Sequence, residues 1–439
     1  MKQNQYIVAL ELGSSKIVGV VAEKLPGGQV TVTNVYQEQM SNCVHYGIVQ
    51  NIENVKGAVT RIIKAIETFV DGSVTSVYVG LAGRSLHNHL VEVERSVDST
   101  RAITQDAVNG LMAEAKRTMV RNHEVIGASV VSFSVDGIET RTPVGQMGSR
   151  IKATINLIVA KSRVKGNMDH ALSYGAGSNK SYLITAMAMG NHLLSKDELE
   201  LGCLLVDIGA ETTTLSFYRN SALQLLTTLP MGGHNITRDI AVGMNVVEET
   251  AEKIKKTING PLDANATNPG DVIEGVKSSE ATNFIIARTD EIINNIGQQI
   301  TDAGIDSANI NSIVLAGGAA LMPGLVQRLE DNFKAKTRLA SMPATITLRS
   351  HAFNKPEFVQ AAALVAEAAA QIGDGSCIER NVFETPEFVA TEPVREEKPE
   401  PKAEDEDDGL RRKKQPSWKD RMLDKLRNLF TEEIDDSMN

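Results

Sequence analysis

Apolar residues recur along this chain in two periods. Between residues 6 and 35 they form two runs rich in Val and Ile around a Gly13-Ser14-Ser15 break, and Pro26-Gly27-Gly28 starts another. Residues 54–70 (NVKGAVTRIIKAIETFV) change to the helical period, and 76–81 (SVYVGL) return to strand. Strand–helix–strand order predicts an α/β domain. The charged, alternating stretch LHNHLVEVERSV, a helix begun by Thr104 and strands near 125–160 predict a small α+β module inserted into it.

A second α/β cycle opens at 203–218 (CLLVDIGAETTTLSFY) and repeats the logic of the first: apolar strand, acidic residue, glycine turn, β-branched strand. Two copies of one hairpin predict two related subdomains facing each other. A helical approach at 181–194 precedes the second hairpin, helices follow at about 235–258 and 275–304, then a strand–Gly-Gly–helix unit at 312–330 and an Ala-rich helix at 357–372. Small residues at 361–370 would let that last helix pack tightly on a sheet. His87 and His89 share one face of a strand, which reads as an exposed face before it reads as a metal site.

The pattern stops near residue 382. Residues 384–409 are acidic, rich in Pro and poor in core formers, the composition of a disordered linker. Beyond them, Pro416 and Ser417 suit a helix start. Trp418, Met422, Leu426, Leu429 and Phe430 then recur at helical spacing, and Leu423 widens the stripe. Lys419, Arg421, Lys425 and Arg427 border it, and Arg411, Arg412, Lys413 and Lys414 precede it. An apolar stripe with basic flanks suits the surface of an anionic membrane; a partner's groove is the competing use.

Composition narrows the class. The chain has 439 residues, enough for two or more domains, and a formal net charge of −10, which argues against nucleic acid as a partner. Its 3 cysteines lie far apart without metal-ligand spacing, which favours a reducing compartment. No basic-then-apolar leader precedes the first strand, so no signal peptide is expected.

Three motifs can carry chemistry. Gly13, Ser14 and Ser15 can turn N–H groups and hydroxyls toward an anion, and an acid at the strand end, Glu11, can hold Mg²⁺ through water. Asp207, Gly209, Glu211, Thr212 and Thr213 offer the same parts again. Gly317-Gly318 brings backbone close to a ligand at a helix start. Each alone is also an ordinary turn.

In this order, the three resemble the phosphate-1, phosphate-2 and adenosine motifs of the ATPase superfamily that joins actin, heat-shock chaperones and sugar kinases. Further stretches narrow the likeness: FSVDGIETRTPVGQMGSRIKATINLIVA (133–160), PMGGHNITRDIAV (230–242), AEKIK (251–255) and VLAGGAALMPGL (314–325) are similar to the FtsA family of actin-like bacterial division proteins.

That resemblance implies an α/β, actin-like (ribonuclease H-like) two-lobed fold with an inserted α+β module, a disordered linker and an amphipathic end. The boundaries expected are 1–83, 163–194 and 336–383 for the first lobe, 84–162 for the module and 195–335 for the second lobe. The linker with its basic stretch spans 384–415 and the membrane helix 416–434.

The cofactors implied are ATP and Mg²⁺. Ser14, Ser15 and Lys16 would lie on the phosphates, and Glu11 and Asp207 near the metal. Gly209, Ala210, Glu211, Thr212 and Thr213 would form the opposing loop, with Gly317 and Gly318 against adenosine. Glu252, Lys255 and Lys256 reach ribose and base, or form a solvated helix face. The partners implied are FtsZ, later division proteins, further copies of the chain and the inner face of the cytoplasmic membrane at the septum.

Three departures from the superfamily pattern point to slow or absent hydrolysis. Glu11 stands where Asp is usual, Ala210 stiffens the second loop, and 181–194 has no acid or Gln before Asn191. The competing functions are a pilus-assembly scaffold of the PilM type and a soluble superfamily kinase.

Overall fold

The N-terminal alternation folds into a meander. Strands Gln5–Leu12, Lys16–Lys24 and Val30–Gln39 pair antiparallel, with Leu12 opposite Ile17 and Lys16 opposite Gln39. Ser76–Leu81 joins Gln5–Leu12 in parallel, Asn179–Ile184 extends that edge, and Ile346–Leu348 closes the other. The second sheet repeats the plan. Cys203–Ile208, Thr213–Arg219 and Ala222–Leu229 form the meander, and Ser312–Ala316 and Lys336–Leu339 add in parallel. In both sheets two parallel strands extend the edge beside the first meander strand, and the first sheet adds a third parallel strand at its other edge. This computed structural model describes residues 5–173, 179–258 and 272–380, all within a unit spanning Met1–Val382. The linker and amphipathic helix expected at 384–434 lie outside the described residues.

Parallel strands need long connections, and helices supply them. Helix α1 (Ile52–Val70) starts at Asn51, whose side chain accepts from Asn54 N–H, and buries Val55, Val59, Ile62 and Ile66. Its Ile62 fits against the sheet because Gly19 has no side chain; a Cβ there would lie 2.3 Å from Ile62 Cγ2. The remaining helices are α2 (Gln105–Ala115), α3 (Ser162–Ala171), α4 (Thr185–Leu193), α5 (Lys196–Leu201), α6 (Gly233–Met244), α7 (Glu248–Thr257), α8 (Ser278–Asp302), α9 (Leu325–Phe333) and α10 (Val359–Gln371). In α10, Ala361, Ala363, Leu364 and Val365 are buried, and the lack of a side chain at Gly80 admits Leu364.

Several elements differ from expectation. The helix at 235–258 is two, α6 and α7, because Asn245 takes a left-handed φ of 54° and turns the chain. Residues 181–194 are strand as far as Ile184, and helix begins only at Thr185. After Gly317 comes a short 3₁₀ turn, Gly318–Leu321, and α9 starts only at Leu325. Lys336–Leu339 still pairs in the second sheet, so the chain returns to the first lobe after Leu339 rather than at 335.

The inserted module is a four-stranded antiparallel sheet, in the order Ile138–Thr140, Glu124–Val135, Arg150–Ala160, His87–Ser96. Helix α2 seals one face, packing Val108 and Leu111 on Ile151, Ile155 and Leu157. Asp136 closes the far turn by accepting from Ser149 N–H, Ser149 Oγ and Arg150 N–H. The "DG" of the sequence is therefore a structural clasp. His87 meets His123 rather than His89, ring edge to face at 5.0 Å.

The module leans on the second lobe. Fully buried Asn156 donates to Leu223 O at 2.7 Å and accepts from Asn88 Nδ2 at 2.8 Å, while Asn88 Oδ1 accepts from Leu226 N–H. Asn156→Ala removes the donor to Leu223 O and one acceptor of Asn88 Nδ2, which keeps Gln224 O at 3.4 Å, so a loss of about 1–2 kcal/mol is expected in urea unfolding. An unchanged midpoint would show that the network contributes nothing.

Candidate functional site

The two hairpins are built alike. Gly13 N–H donates to Lys16 O at 2.9 Å, and Gly209 N–H donates to Thr212 O at 2.8 Å. Each is preceded by its acid at a strand end, Glu11 opposite Val18 and Asp207 opposite Thr214. Glu11 Oε2 and Asp207 Oδ1 are sealed from solvent without a hydrogen-bond partner. Burial pushes both carboxyls up to about 7. Lys16 opposes the rise at Glu11; at Asp207 the charge of Glu11 adds to it and the amide of Gln360 opposes it.

Sealed carboxylate oxygens of this kind cost free energy unless protonated or met by a cation. The pair fits a divalent ion that keeps part of its water shell, with too few protein oxygens for a cage. Among the described residues no group of three or more His, Cys, Asp or Glu side chains is arranged to hold a metal.

Glycines set the walls. Gly317 has φ 86°, and a Cβ there would fall 2.3 Å from Ile208 O and 2.6 Å from Asp207 Oδ1, so only glycine fits behind the second acid. Gly318 faces open space. The first turn of α6 presses on the second loop: Gly233 N–H donates to Gly209 O and His234 N–H to Ala210 O. A Cβ on Gly232 would meet Gly209 O at 2.6 Å, which explains the Gly-Gly of PMGGHN.

Some expected ligands face elsewhere. Glu211 turns from the loop to the first lobe, where Oε2 accepts from Tyr46 N–H at 2.8 Å and Oε1 lies 3.1 Å from His45 Nδ1. A carboxylate aimed at phosphate would repel it; here it joins the lobes instead. Thr213 is buried and donates to Met231 O, so its hydroxyl holds the wall. Buried Lys255 donates to Gly233 O, Thr237 Oγ1 and Glu252 Oε2, at 2.9, 2.8 and 2.6 Å. Its three donors are engaged, so it braces α6 from behind rather than presenting its ammonium to a base or ribose.

Against the cost of burial, Lys255, Thr237 and Lys256 hold Glu252 below the usual range, and Lys256 remains exposed. Lys16 lies between hairpin and α10, 3.6 Å from the Glu357 carboxylate and 5.2 Å from the centre of the Phe358 ring. Ser14 and Ser15 sit at the open hairpin tip, where Ser15 O accepts from Met40 N–H.

Gln360 escaped the sequence reading. Its Nε2 donates to Asp207 Oδ2 at 2.5 Å from the first turn of α10. Glu357 and His45 were missed as well. None sits in a motif, and only the fold brings them to the cleft.

The model of the FtsA cell division protein matches residues 204–363, and that of the SHS2 domain inserted in FtsA matches 83–159. A cell division protein FtsA of Porphyromonas gingivalis is 31% identical over 329 residues, covering 72% of this chain and 68% of that relative. This chain belongs to the FtsA family. The FtsA of Escherichia coli K12 is 27% identical over 379 residues, 82% of this chain and 89% of its own. Among solved structures, a PilM-PilN type IV pilus biogenesis complex superposes with a TM-score of 0.57 at 16% identity, over 83% of this chain and 98% of that one. At that identity the likeness speaks for fold alone, and the fold is actin-like. An FtsA-family chain with this fold is an actin-like cell division protein.

Proposed function

We propose that this protein is an ATP- and Mg²⁺-binding clamp with slow or no turnover, working at the cytoplasmic face of the membrane at the septum. There it recruits FtsZ filaments and later division proteins, and assembles with further copies of itself. The observation that carries the clamp is the sealed, partnerless pair Glu11 Oε2 and Asp207 Oδ1, one from each of two matched hairpins. Bound Mg²⁺ would neutralise these carboxylates and charge on the phosphates. Ser14, Ser15 and the backbone of Gly209, Ala210 and Thr212 would line the phosphates, and Gly317 with Gly318 would leave room for adenosine. Glu11 reaches one methylene further than Asp, which misplaces the water shell for in-line attack and leaves binding intact.

The test is equilibrium binding of ATP with and without Mg²⁺, together with phosphate release. Tight Mg²⁺-dependent binding with release far slower than one turnover per second is expected. Glu11→Asp should raise release while leaving affinity unchanged. Fast release by the unaltered protein would overturn the slow clamp, and no binding would overturn the site.

A further inference from the structure

We propose that Gln360 is a positioning residue of this cleft, holding the Asp207 carboxylate with its amide group and offering its carbonyl oxygen to the water shell of the cation. The inference rests on the ATP and Mg²⁺ reading above and adds to it a residue from an element outside the three motifs.

The geometry is local. The 3₁₀ turn Pro356–Phe358 leads directly into α10, and both hairpins reach this short segment. From the first hairpin, Lys16 Nζ donates to Glu357 O at 3.4 Å and lies over the Phe358 ring. From the second, Asp207 Oδ2 accepts from Gln360 Nε2 at 2.5 Å. The other oxygen, Oδ1, is left sealed and unpartnered, as is Glu11 Oε2. Gln360 thus fixes one oxygen of the acid and leaves free the one that a cation's water would meet.

Chemistry favours an amide at this point. It carries a donor at one end and an acceptor at the other and does not titrate. Lys would neutralise Asp207 and displace the cation; Glu would add a third negative charge to a cleft that must admit phosphates. With the NH₂ on Asp207, the carbonyl oxygen can accept from a water held by Mg²⁺, which surrenders its waters reluctantly. Gln360 acts through Asp207 and through water and has no need to touch the nucleotide.

The experiment uses the full chain and ATP as probe, in Mg²⁺ and in EDTA. For Gln360→Leu, a roughly tenfold weaker affinity for Mg²⁺·ATP is expected, with unchanged affinity in EDTA. Gln360→Met, which keeps the length of the side chain and lacks the amide, should show the same split between Mg²⁺ and EDTA, which a packing defect would not. Gln360→Leu with unaltered Mg²⁺·ATP affinity overturns the proposal. So does equal weakening with and without Mg²⁺, which marks Gln360 as packing. If the unaltered protein binds no ATP, the parent reading fails first and this one with it. That failure is visible before any substitution is made.

Discussion

Replacing Asp207 with asparagine is expected to stabilise the nucleotide-free protein at pH 8 and to abolish its Mg²⁺-dependent binding of ATP. The first effect follows from the buried charge. Asp207 ionises in the unfolded chain near its ordinary value of 3.8, whereas burial, then Glu11, holds it protonated up to about 7 in the fold. Between those values the folded state binds the extra proton, so stability falls as pH rises through the interval and stays low above it. The shift corresponds to a penalty of about 2–4 kcal/mol above pH 7, shared with Glu11 because the two charges repel. Asparagine keeps the shape and removes the charge, so the melting temperature at pH 8 should rise by a few degrees, and the gain should vanish near pH 4. The second effect follows from the same charge, because a neutral amide gives the cation nothing to neutralise. Affinity for Mg²⁺·ATP should fall at least about a hundredfold, the ~3 kcal/mol expected for one charged ligand. Thermal melts across pH, paired with nucleotide titrations, check both; wild-type affinity in Asp207→Asn would refute the assignment of the cation site.

The sequence shows the hairpins clearly because all their signals are local. An apolar strand, an acid, a glycine turn and a β-branched strand lie within a dozen residues, so the acid must sit at a strand end beside the turn. Gln360 has no such signal. It meets Asp207 across 153 residues of chain, and a Gln in the first turn of an Ala-rich helix reads as an exposed polar residue. Lys255 was misread for the opposite reason. On the helix surface it pairs with Glu252 by ordinary spacing, and only the packing of α7 under α6 shows that it is buried. Glu211 reads as a loop ligand by position, but its partners, His45 and Tyr46, belong to the other lobe. Local pattern fixes which backbone turns a ligand would meet; long-range contact decides where each charged side chain points.

On the proposed clamp reading, the repeated hairpin lets this cleft tolerate departures from its superfamily. Backbone donors and open glycine positions do not depend on side-chain length, so Ala210 for Gly and Glu11 for Asp leave the binding frame in place. Hydrolysis is stricter, because a water must be held in line with the phosphate to within a fraction of an ångström. A protein that uses nucleotide to set the relation of its lobes needs the frame and can do without the rate. The Glu211 bridge and the Asn156 network then tie that frame to the first lobe and the inserted module.

A chain ending at Gly409 is expected to lose its hold on anionic vesicles while keeping ATP binding. The segment removed carries Trp418, Met422, Leu423, Leu426, Leu429 and Phe430 with eight Lys and Arg side chains. Each cation near an anionic leaflet contributes about 1 kcal/mol, and the apolar stripe adds burial in the headgroup region. Their sum, even halved by salt, exceeds the ~3 kcal/mol that separates a sedimenting protein from a hundredfold weaker one. No helix among the described residues is long and apolar enough to cross a membrane. Co-sedimentation with vesicles containing anionic lipid is the measurement, with neutral vesicles and high salt as controls. Adding FtsZ separates tether from adaptor: the intact chain should bring filaments to the vesicles, and the shortened one should bind them only in solution. Equal sedimentation of both chains would place the membrane contact in the body and overturn the tether.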